Sequence, residues 1–137
     1  MTDHLKFYID GQWVDPIGTA TLDVINPATE ESIGRIAMGN AEDVNRAVAA
    51  ARRAFETFSR TSKAERIALL ERVIEVYKKR LPDLAAAISD EMGAPLKLAG
   101  AAQAPSGLGH FMSTLDVLRN YEFEEDIGTS HVIREPV

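Results

Sequence analysis

The feature that most constrains the fold is a change of hydrophobic period at Asn40. Before it, apolar and polar residues alternate in short runs, which is typical of β-strands. After it, apolar residues recur every three or four positions, as they do on one face of an α-helix. This pattern lasts to about Tyr121, where a short alternating segment follows. The sequence therefore predicts strands first, then a long helical middle and an extended tail.

Two β-hairpins are predicted in the first quarter of the chain. Asp10 and Gly11 separate two short runs of strand-forming residues and suit a two-residue turn, because glycine readily adopts positive φ. Thr21–Ile25 and Ser32–Ala37 read as a second pair of strands, separated by an Asn-Pro turn signal.

Four α-helices are predicted in the middle of the chain. Asn40 is the expected N-cap of the first helix, and Ser62 begins a capping box for the second, with Glu65 three positions further on. Each helix carries an apolar stripe, which consists of Val44, Ala47, Val48, Ala51, Phe55 and Phe58 in the first and of Ile67, Leu70, Ile74, Tyr77 and Leu81 in the second. Because they are adjacent in the chain, we expect them to pair as a helical hairpin.

Prolines set the expected bounds of the other two helices. Pro82 suits the first turn of a helix but would break an interior, so a third, short helix is expected from about Pro82 to Met92, with Gly93 as its C-cap. A fourth helix is expected to begin at Pro95 and to be kinked or interrupted near Pro105.

The tail combines an acidic run with a strand-like one. Glu122–Asp126 is predicted to be a solvated acidic loop, and Ser130–Arg134 alternates like a strand. The chain is thus divided into N-terminal β-hairpins over residues 1–39, a helical part over residues 40–121, and an acidic loop with a C-terminal extended strand over residues 122–137.

Charge and hydropathy argue against two classes of partner. Twenty-one acidic and fifteen basic residues give a net charge of -6, so no overall positive field attracts a nucleic-acid backbone. Even the longest uninterrupted aliphatic runs, such as Leu84–Ile88, are too short to cross a bilayer, and the N-terminus has no signal-like apolar region. We expect a cytoplasmic protein that binds neither nucleic acid nor membranes.

No catalytic constellation is visible in the sequence. The chain contains no cysteine, which excludes disulfides, thiolate metal sites and a cysteine nucleophile. His4, His110 and His131 are too scattered for a zinc motif. Gly107–Met112 begins like a dinucleotide fingerprint, but it lacks the third glycine and follows a helical pattern instead of a strand. We interpret the three histidines and the Gly107–Met112 segment as ordinary packing or surface residues.

Residues 42–80 form a locally basic stretch, with ten basic and six acidic side chains. Two interpretations are open. The stretch could be a docking face, or its charges could be solvated, with Lys78–Arg80 complementing the dipole at the end of the second helix. We favour the second interpretation.

Several consecutive segments resemble the N-terminal portion of the aldehyde dehydrogenase superfamily. In chain order they are Phe7–Val14, Val24–Thr29, Ile33–Ala37, Ala41–Phe55, Ser62–Arg66, Glu91–Pro95 and Arg134–Val137. Phe58, where many members have tryptophan, and Ala94, where many have lysine, depart from the pattern. The resemblance implies a truncated form of that family's α/β fold, with N-terminal β-hairpins, about four α-helices and a C-terminal extended strand. Residues 40–121 would be the helical part of its cofactor domain.

The resemblance also implies a function. Members of the family oxidise an aldehyde to a carboxylic acid with NAD or NADP, through a cysteine thiolate and a glutamate-activated water. Their catalytic and nucleotide-binding residues would lie beyond Val137, so this chain is expected to contain no catalytic residue, no cofactor-binding residue and no bound cofactor. We expect a structural segment of an NAD(P)-dependent aldehyde dehydrogenase that is inactive alone. The alternative is a free-standing helical dimerisation or docking module derived from that family.

Partners and one ion site follow from the same resemblance. The expected partners are the remainder of the dehydrogenase or further copies of the chain, in a homo-oligomer to which an oligomerisation strand beginning near Ser130–Arg134 contributes. Apolar helix stripes left without cover would also favour self-association. Some members bind a monovalent cation through backbone carbonyls, one of which would be that of Ile25.

Overall fold

A computed structural model describes residues 3–135 of the chain. The strands are β1 (Phe7–Ile9), β2 (Gln12–Val14), β3 (Thr21–Asn26), β4 (Glu31–Ala37), β5 (Glu124–Ile127) and β6 (Ser130–Ile133). The helices are α1 (Ala41–Phe58), α2 (Lys63–Met92), α3 (Leu96–Leu98) and α4 (Ala104–Asn120), with a π-helical turn, Ala99–Gln103, between the last two. Within the described residues, the strands form three separate two-stranded antiparallel sheets. No helix of residues 3–135 has both the length and the apolar character that a membrane span requires.

The two predicted N-terminal hairpins are confirmed. β1 pairs with β2 so that Tyr8 lies opposite Trp13. Asp10 and Gly11 have φ values of 55° and 74° in the connecting turn. Two successive residues with positive φ give a turn whose twist matches that of the flanking strands. β3 pairs with β4 in the second hairpin.

Both long helices begin where the sequence predicts. The Asn40 side chain accepts hydrogen bonds from the backbone N–H groups of Glu42 and Asp43. The Ser62 hydroxyl accepts one from the N–H of Glu65, whose carboxylate accepts the Ser62 N–H in return. These bonds satisfy N–H groups that have no partner within the first turn of a helix.

The predicted pairing of α1 with α2 is wrong. α2 packs along α4 instead, while α1 contacts β1. The rings of Tyr77 and Phe111 lie 5.7 Å apart between these two helices, and Ala85 shares a buried cluster with Ala99 and Ala104. Small side chains in that cluster let the α2 and α4 segments approach closely. α2 therefore pairs with α4, although α1 is its neighbour in the chain.

The predicted break at Pro82 is also wrong, because α2 continues through Pro82 to Met92. The expected third helix is therefore the second half of α2. A proline inside a helix costs about 3 kcal/mol through a lost hydrogen bond and a steric clash. Packing on both sides offsets this cost, since Tyr77 before Pro82 and Ala85 after it contact the α3–α4 segment. Gly93 is the C-cap as predicted, with a φ of 71°.

The expected interruption near Pro105 is the π-helical turn that precedes it. Pro105 itself lies in the first turn of α4, directly after the π-helical turn. Ala99 and Ala104, five positions apart, are both buried. In an α-helix such residues lie about 140° apart, whereas the wider π turn brings them to the same side. The irregularity thus keeps both alanines in the core.

The acidic run that we expected to be a loop is partly a strand. Residues Glu124–Ile127 form β5, which pairs with β6 over the predicted C-terminal strand. Asp126 lies opposite His131, and the Asp126 carboxylate is 2.8 Å from Nδ1 of that histidine. Arg134 forms an ion pair with Glu125. These partners from the far side of the hairpin stabilise β5 despite its charge. Pro136 and Val137 lie outside the described residues.

Candidate functional site

A buried carboxylate attaches the start of α1 to the loop before β3. Asp43 is 3% exposed. It accepts hydrogen bonds from the backbone N–H groups of Ile17, Gly18 and Asn40, at 2.9, 3.2 and 3.1 Å. The bond from Ile17 is the main cause that holds the pKa of the Asp43 carboxyl below its ordinary value, against the opposing effect of desolvation. α1 therefore begins at a fixed place beside the N-terminal hairpins.

α1 leaves much of its apolar face without cover. Ala50 is buried, but Val44, Val48 and Phe55 are 59%, 51% and 49% exposed. At 100° per residue these three exposed residues lie within about 40° of one another. They belong to a row that we call the α1 stripe, which consists of Val44, Val48, Ala51, Phe55 and Phe58.

α2 has a second apolar face in addition to the one that packs on α4. A groove of about 740 Å³, which we call the α2 groove, runs along it. It is lined by Arg72, Val73, Val76, Tyr77, Arg80, Asp83, Leu84 and Ala87. A helix that is apolar on two faces is normally buried between two layers. Among residues 3–135, the α4 segment covers the first face and β3 also contacts α2, but the α2 groove is lined by α2 alone.

Phe58 and Leu69 connect the α1 stripe to the α2 groove. Both line a pocket of about 370 Å³ that also includes Arg72, the first residue of the groove. The Arg66 guanidinium lies 5.2 Å from the centre of the Phe58 ring, so the aliphatic and aromatic surface continues past this arginine. The α1 stripe, this pocket and the α2 groove together form one continuous surface, which we call the open face.

Charges on the α2 groove are unevenly balanced. Arg80 pairs with Asp83, one turn further along the helix. Arg72 forms no ion pair with any of residues 3–135. We interpreted Lys78–Arg80 from the sequence as cations at a helix end, which is wrong, because α2 continues for twelve residues beyond Arg80 to Met92. The helix dipole therefore does not explain these cations, and their position favours the interpretation of the basic stretch as a docking face.

Gly107 is the point of closest approach between α2 and α4. The Tyr77 hydroxyl donates a hydrogen bond to the carbonyl of Ala104 at 3.0 Å. A Cβ atom added at Gly107 would overlap that hydroxyl and lie 2.9 Å from the ring carbon that bears it. The orientation of α2, and with it the α2 groove, thus depends on the missing side chain at Gly107.

Gly107→Ala is expected to lower the free energy of unfolding by about 1–3 kcal/mol, because overpacking displaces Tyr77. Urea unfolding followed by circular dichroism measures this loss. Gly109→Ala is the matched control, since it changes the same helix where nothing lies within 4 Å of the added atom. It should be neutral or stabilise by up to about 1 kcal/mol, as alanine favours helices. Equal losses in the two variants would contradict the assignment.

The histidines and the glycine-rich segment show no shared site. His4 bridges to β4, His110 lies in α4 and His131 lies in β6. Gly107–Met112 lies inside α4 and not at a strand-to-helix turn. Among the described residues, no group of three or more histidine, aspartate and glutamate side chains is arranged to hold a metal ion.

Ile25, the residue whose carbonyl we predicted as a cation ligand, lies in β3. The register of β3 against β4 shifts between Val24 and Ile25, so that Val24 is opposite Gly34 and Ile25 is opposite Ser32. The extra residue of this irregularity is Ile33 on β4, which has no partner in β3, whereas Ile25 is paired. The cation-ligand prediction remains untested by this arrangement.

Comparisons with known proteins point to one family. Residues 13–137 match the sequence model described as the aldehyde dehydrogenase family. A 3-succinoylsemialdehyde-pyridine dehydrogenase from a Pseudomonas species is 54% identical over 137 residues, which cover 99% of this chain and 29% of that protein.

Solved structures give the same picture. An aldehyde dehydrogenase from Bartonella henselae superposes with a TM-score of 0.92 at 39% identity, over 95% of this chain and 28% of its own. An aldehyde dehydrogenase mutant from Pseudomonas syringae, complexed with NAD+ and octanal, also has a TM-score of 0.92, at 44% identity over 96% of this chain and 27% of its own. The chain thus spans less than a third of the length of each of these relatives.

Proposed function

Because the chain belongs to the aldehyde dehydrogenase family and matches its N-terminal segment, we propose that it works as a structural segment of an NAD(P)-dependent aldehyde dehydrogenase. The open face is the observation that carries this proposal. It is apolar along two helices, and residues 3–135 leave it uncovered. Burial stabilises by about 25 cal/mol per Å² of apolar surface, so a surface of this kind favours a partner. The proposed partner is the rest of the dehydrogenase.

The chemistry in this proposal takes place on residues outside the chain. Aldehyde oxidation in this family begins with a thiolate, and this chain has no cysteine. The described residues do not fit a dinucleotide either, since the N–H groups of Gly107–Met112 lie within α4 and cannot cradle a pyrophosphate. We therefore assign NAD or NADP, and the aldehyde, to the rest of the enzyme. The relative from Pseudomonas syringae that is complexed with NAD+ and octanal supports NAD and an aldehyde as ligands of the full-length enzyme.

We extend the proposal to assembly and location. We propose that the chain is divided into three parts, residues 1–39, 40–121 and 122–137. The last part contributes to a homo-oligomer. Support comes from β5 and β6, which form an isolated hairpin whose outer edges can accept a further strand. A cytoplasmic location is part of the proposal and rests on the sequence alone.

The Ile25 carbonyl is proposed as one ligand of a monovalent cation. The support for this is the family to which the chain belongs; Ile25 itself lies in β3 opposite Ser32. The assembled enzyme is expected to melt at a higher temperature in potassium or sodium chloride than in choline chloride at equal concentration. Equal melting temperatures in the three salts would contradict it.

Association with the missing part tests the proposed function. We expect this chain to form a 1:1 complex with the part of the Pseudomonas dehydrogenase that lies beyond the matched segment, as measured by sedimentation velocity. Val48→Asp in the α1 stripe should weaken this complex by about 10-fold or more, because it places a carboxylate in an apolar contact. Ala49→Asp, on the same helix but off the stripe, is the control and should leave the complex intact.

The exposed α1 stripe also supports one alternative, a free-standing dimerisation or docking module. In that case the chain alone would form a defined dimer, Val48→Asp would dissociate it, and the rest of the dehydrogenase would not bind. That set of results would contradict the structural-segment proposal. A complex with the rest of the dehydrogenase and no defined dimer would contradict the module.

A further inference from the structure

The α2 groove has the length and spacing of a seat for a single α-helix. Its lining extends from Arg72 to Ala87, a rise of about 22 Å at 1.5 Å per residue. Val73, Val76, Arg80, Leu84 and Ala87 recur along it at intervals of three and four. This is the spacing of the side-chain ridges into which a second helix packs.

An extended segment would fit the α2 groove poorly. All of its lining residues belong to one helix, whose backbone N–H and C=O groups bond to one another along the helix. A strand laid there would bury backbone groups without partners, at about 1–3 kcal/mol for each group. A helix satisfies its own backbone and presents only side chains, so a helical occupant is favoured.

Arg72 indicates the charge of that occupant. Apolar cover alone would leave its guanidinium desolvated and unpaired, which is strongly unfavourable. A second copy of the α2 groove is a poor match as well, because the only carboxylate in its lining, Asp83, already pairs with Arg80, so two copies would bring together two surfaces of net positive charge. A carboxylate is the complementary group.

We propose that the α2 groove binds an amphipathic α-helix from the rest of the aldehyde dehydrogenase, with apolar residues against Val73, Val76 and Leu84 and a carboxylate opposite Arg72. The source of the helix rests on the proposed function; its shape and charge rest on the α2 groove. Since Arg72 lies at one end of the groove, the charge pair also fixes the direction and register of the bound helix, as a single polar position does in coiled coils.

Variants of the α2 groove test this in the complex described above. Val76→Asp and Arg72→Glu are each expected to raise the dissociation constant at least about 10-fold. Lys79→Glu is the matched control: it reverses the same charge on the same helix outside the groove, and should change the constant by less than about 2-fold. Val76 is 57% exposed, so its replacement should leave the chain folded, which a melting curve checks.

A peptide separates this inference from the proposed function. The probe is a fluorescent amphipathic helical peptide of about 16 residues, with leucines along one face and one glutamate placed to meet Arg72. It should bind the 137-residue chain at least about 10-fold more tightly than its Glu-to-Lys counterpart, and Arg72→Glu should reverse the preference.

The possible outcomes are distinct. If the complex forms but the groove variants behave like Lys79→Glu and the two peptides bind alike, the helix inference is wrong and the proposed function stands. If the peptides discriminate as expected but the rest of the dehydrogenase does not bind, the α2 groove still selects an acidic helix and the proposed function is wrong. A dimer of the chain alone that Arg72→Glu abolishes would place a second copy in the groove and overturn the inference.

Discussion

Asp43→Asn is expected to lower the melting temperature of the chain by roughly 5–10 °C, a large shift for a single substitution at this size. The carboxylate accepts three backbone N–H groups, from Ile17, Gly18 and Asn40. An amide has one acceptor oxygen, and its NH₂ group would face a donor. At least one buried N–H would then lose its partner, and the start of α1 would come away from the loop before β3. Thermal unfolding followed by circular dichroism measures the shift.

Glu42→Gln is the matched control for Asp43. It removes the neighbouring carboxylate of the same helical turn, which is exposed, so only its weak interaction with the helix dipole is lost. A melting temperature close to that of the unmodified chain is expected. If the two variants lost the same stability, the account of Asp43 as an anchor would be wrong.

Acid should remove the contribution of Asp43 in a defined direction. The pKa of its carboxyl is held below the ordinary value in the folded state, chiefly by the bond from Ile17. The stabilisation is therefore complete above the pKa that the Asp43 carboxyl has in the unfolded chain. It is lost as the pH falls through the pKa of the same carboxyl in the folded chain. Asp43→Asn should lose less stability than the unmodified chain over that acidic range.

Local signals predicted the turns and caps correctly. The two N-terminal hairpins, the Asn40 and Ser62 caps and the Gly93 C-cap depend on residues a few positions apart, so the sequence pattern contains the information that decides them. The continuation of α2 through Pro82 depends on Tyr77 and Ala85 meeting a segment distant in the chain. β5 likewise could not be predicted from its own residues, because its carboxylates are stabilised by side chains from the opposite strand.

The sequence indicated one part of the open face, the α1 stripe, but not the other, the α2 groove. The α1 stripe was identified from its spacing, but its exposure was not, because spacing shows that residues share a face and not whether anything covers it. The α2 groove was missed. Val73, Val76 and Leu84 recur at helical intervals, yet the stronger stripe that includes Ile74 accounted for the apolar pattern of the same helix. Arg80, halfway along the groove, obscured the second stripe further.

Aldehyde oxidation restored by assembly is the second large effect that we expect. Without the α1 and α2 helices to support it, the rest of the Pseudomonas dehydrogenase should hold its reacting groups out of position, and displacement by about 1 Å can reduce a rate about 100-fold. Addition of this chain should therefore raise the rate by a factor of that order, and Val48→Asp should diminish the gain where Ala49→Asp does not.

The most direct measurement of the central claim is NADH formation, followed by absorbance, with 3-succinoylsemialdehyde-pyridine as the aldehyde named for that relative. The account predicts no NADH from this chain alone, because it has no thiol to attack the aldehyde, and a strong gain when the chain is added to the rest of the dehydrogenase. NADH produced by the purified chain alone, or a mixture no more active than the rest of the dehydrogenase by itself, would contradict it.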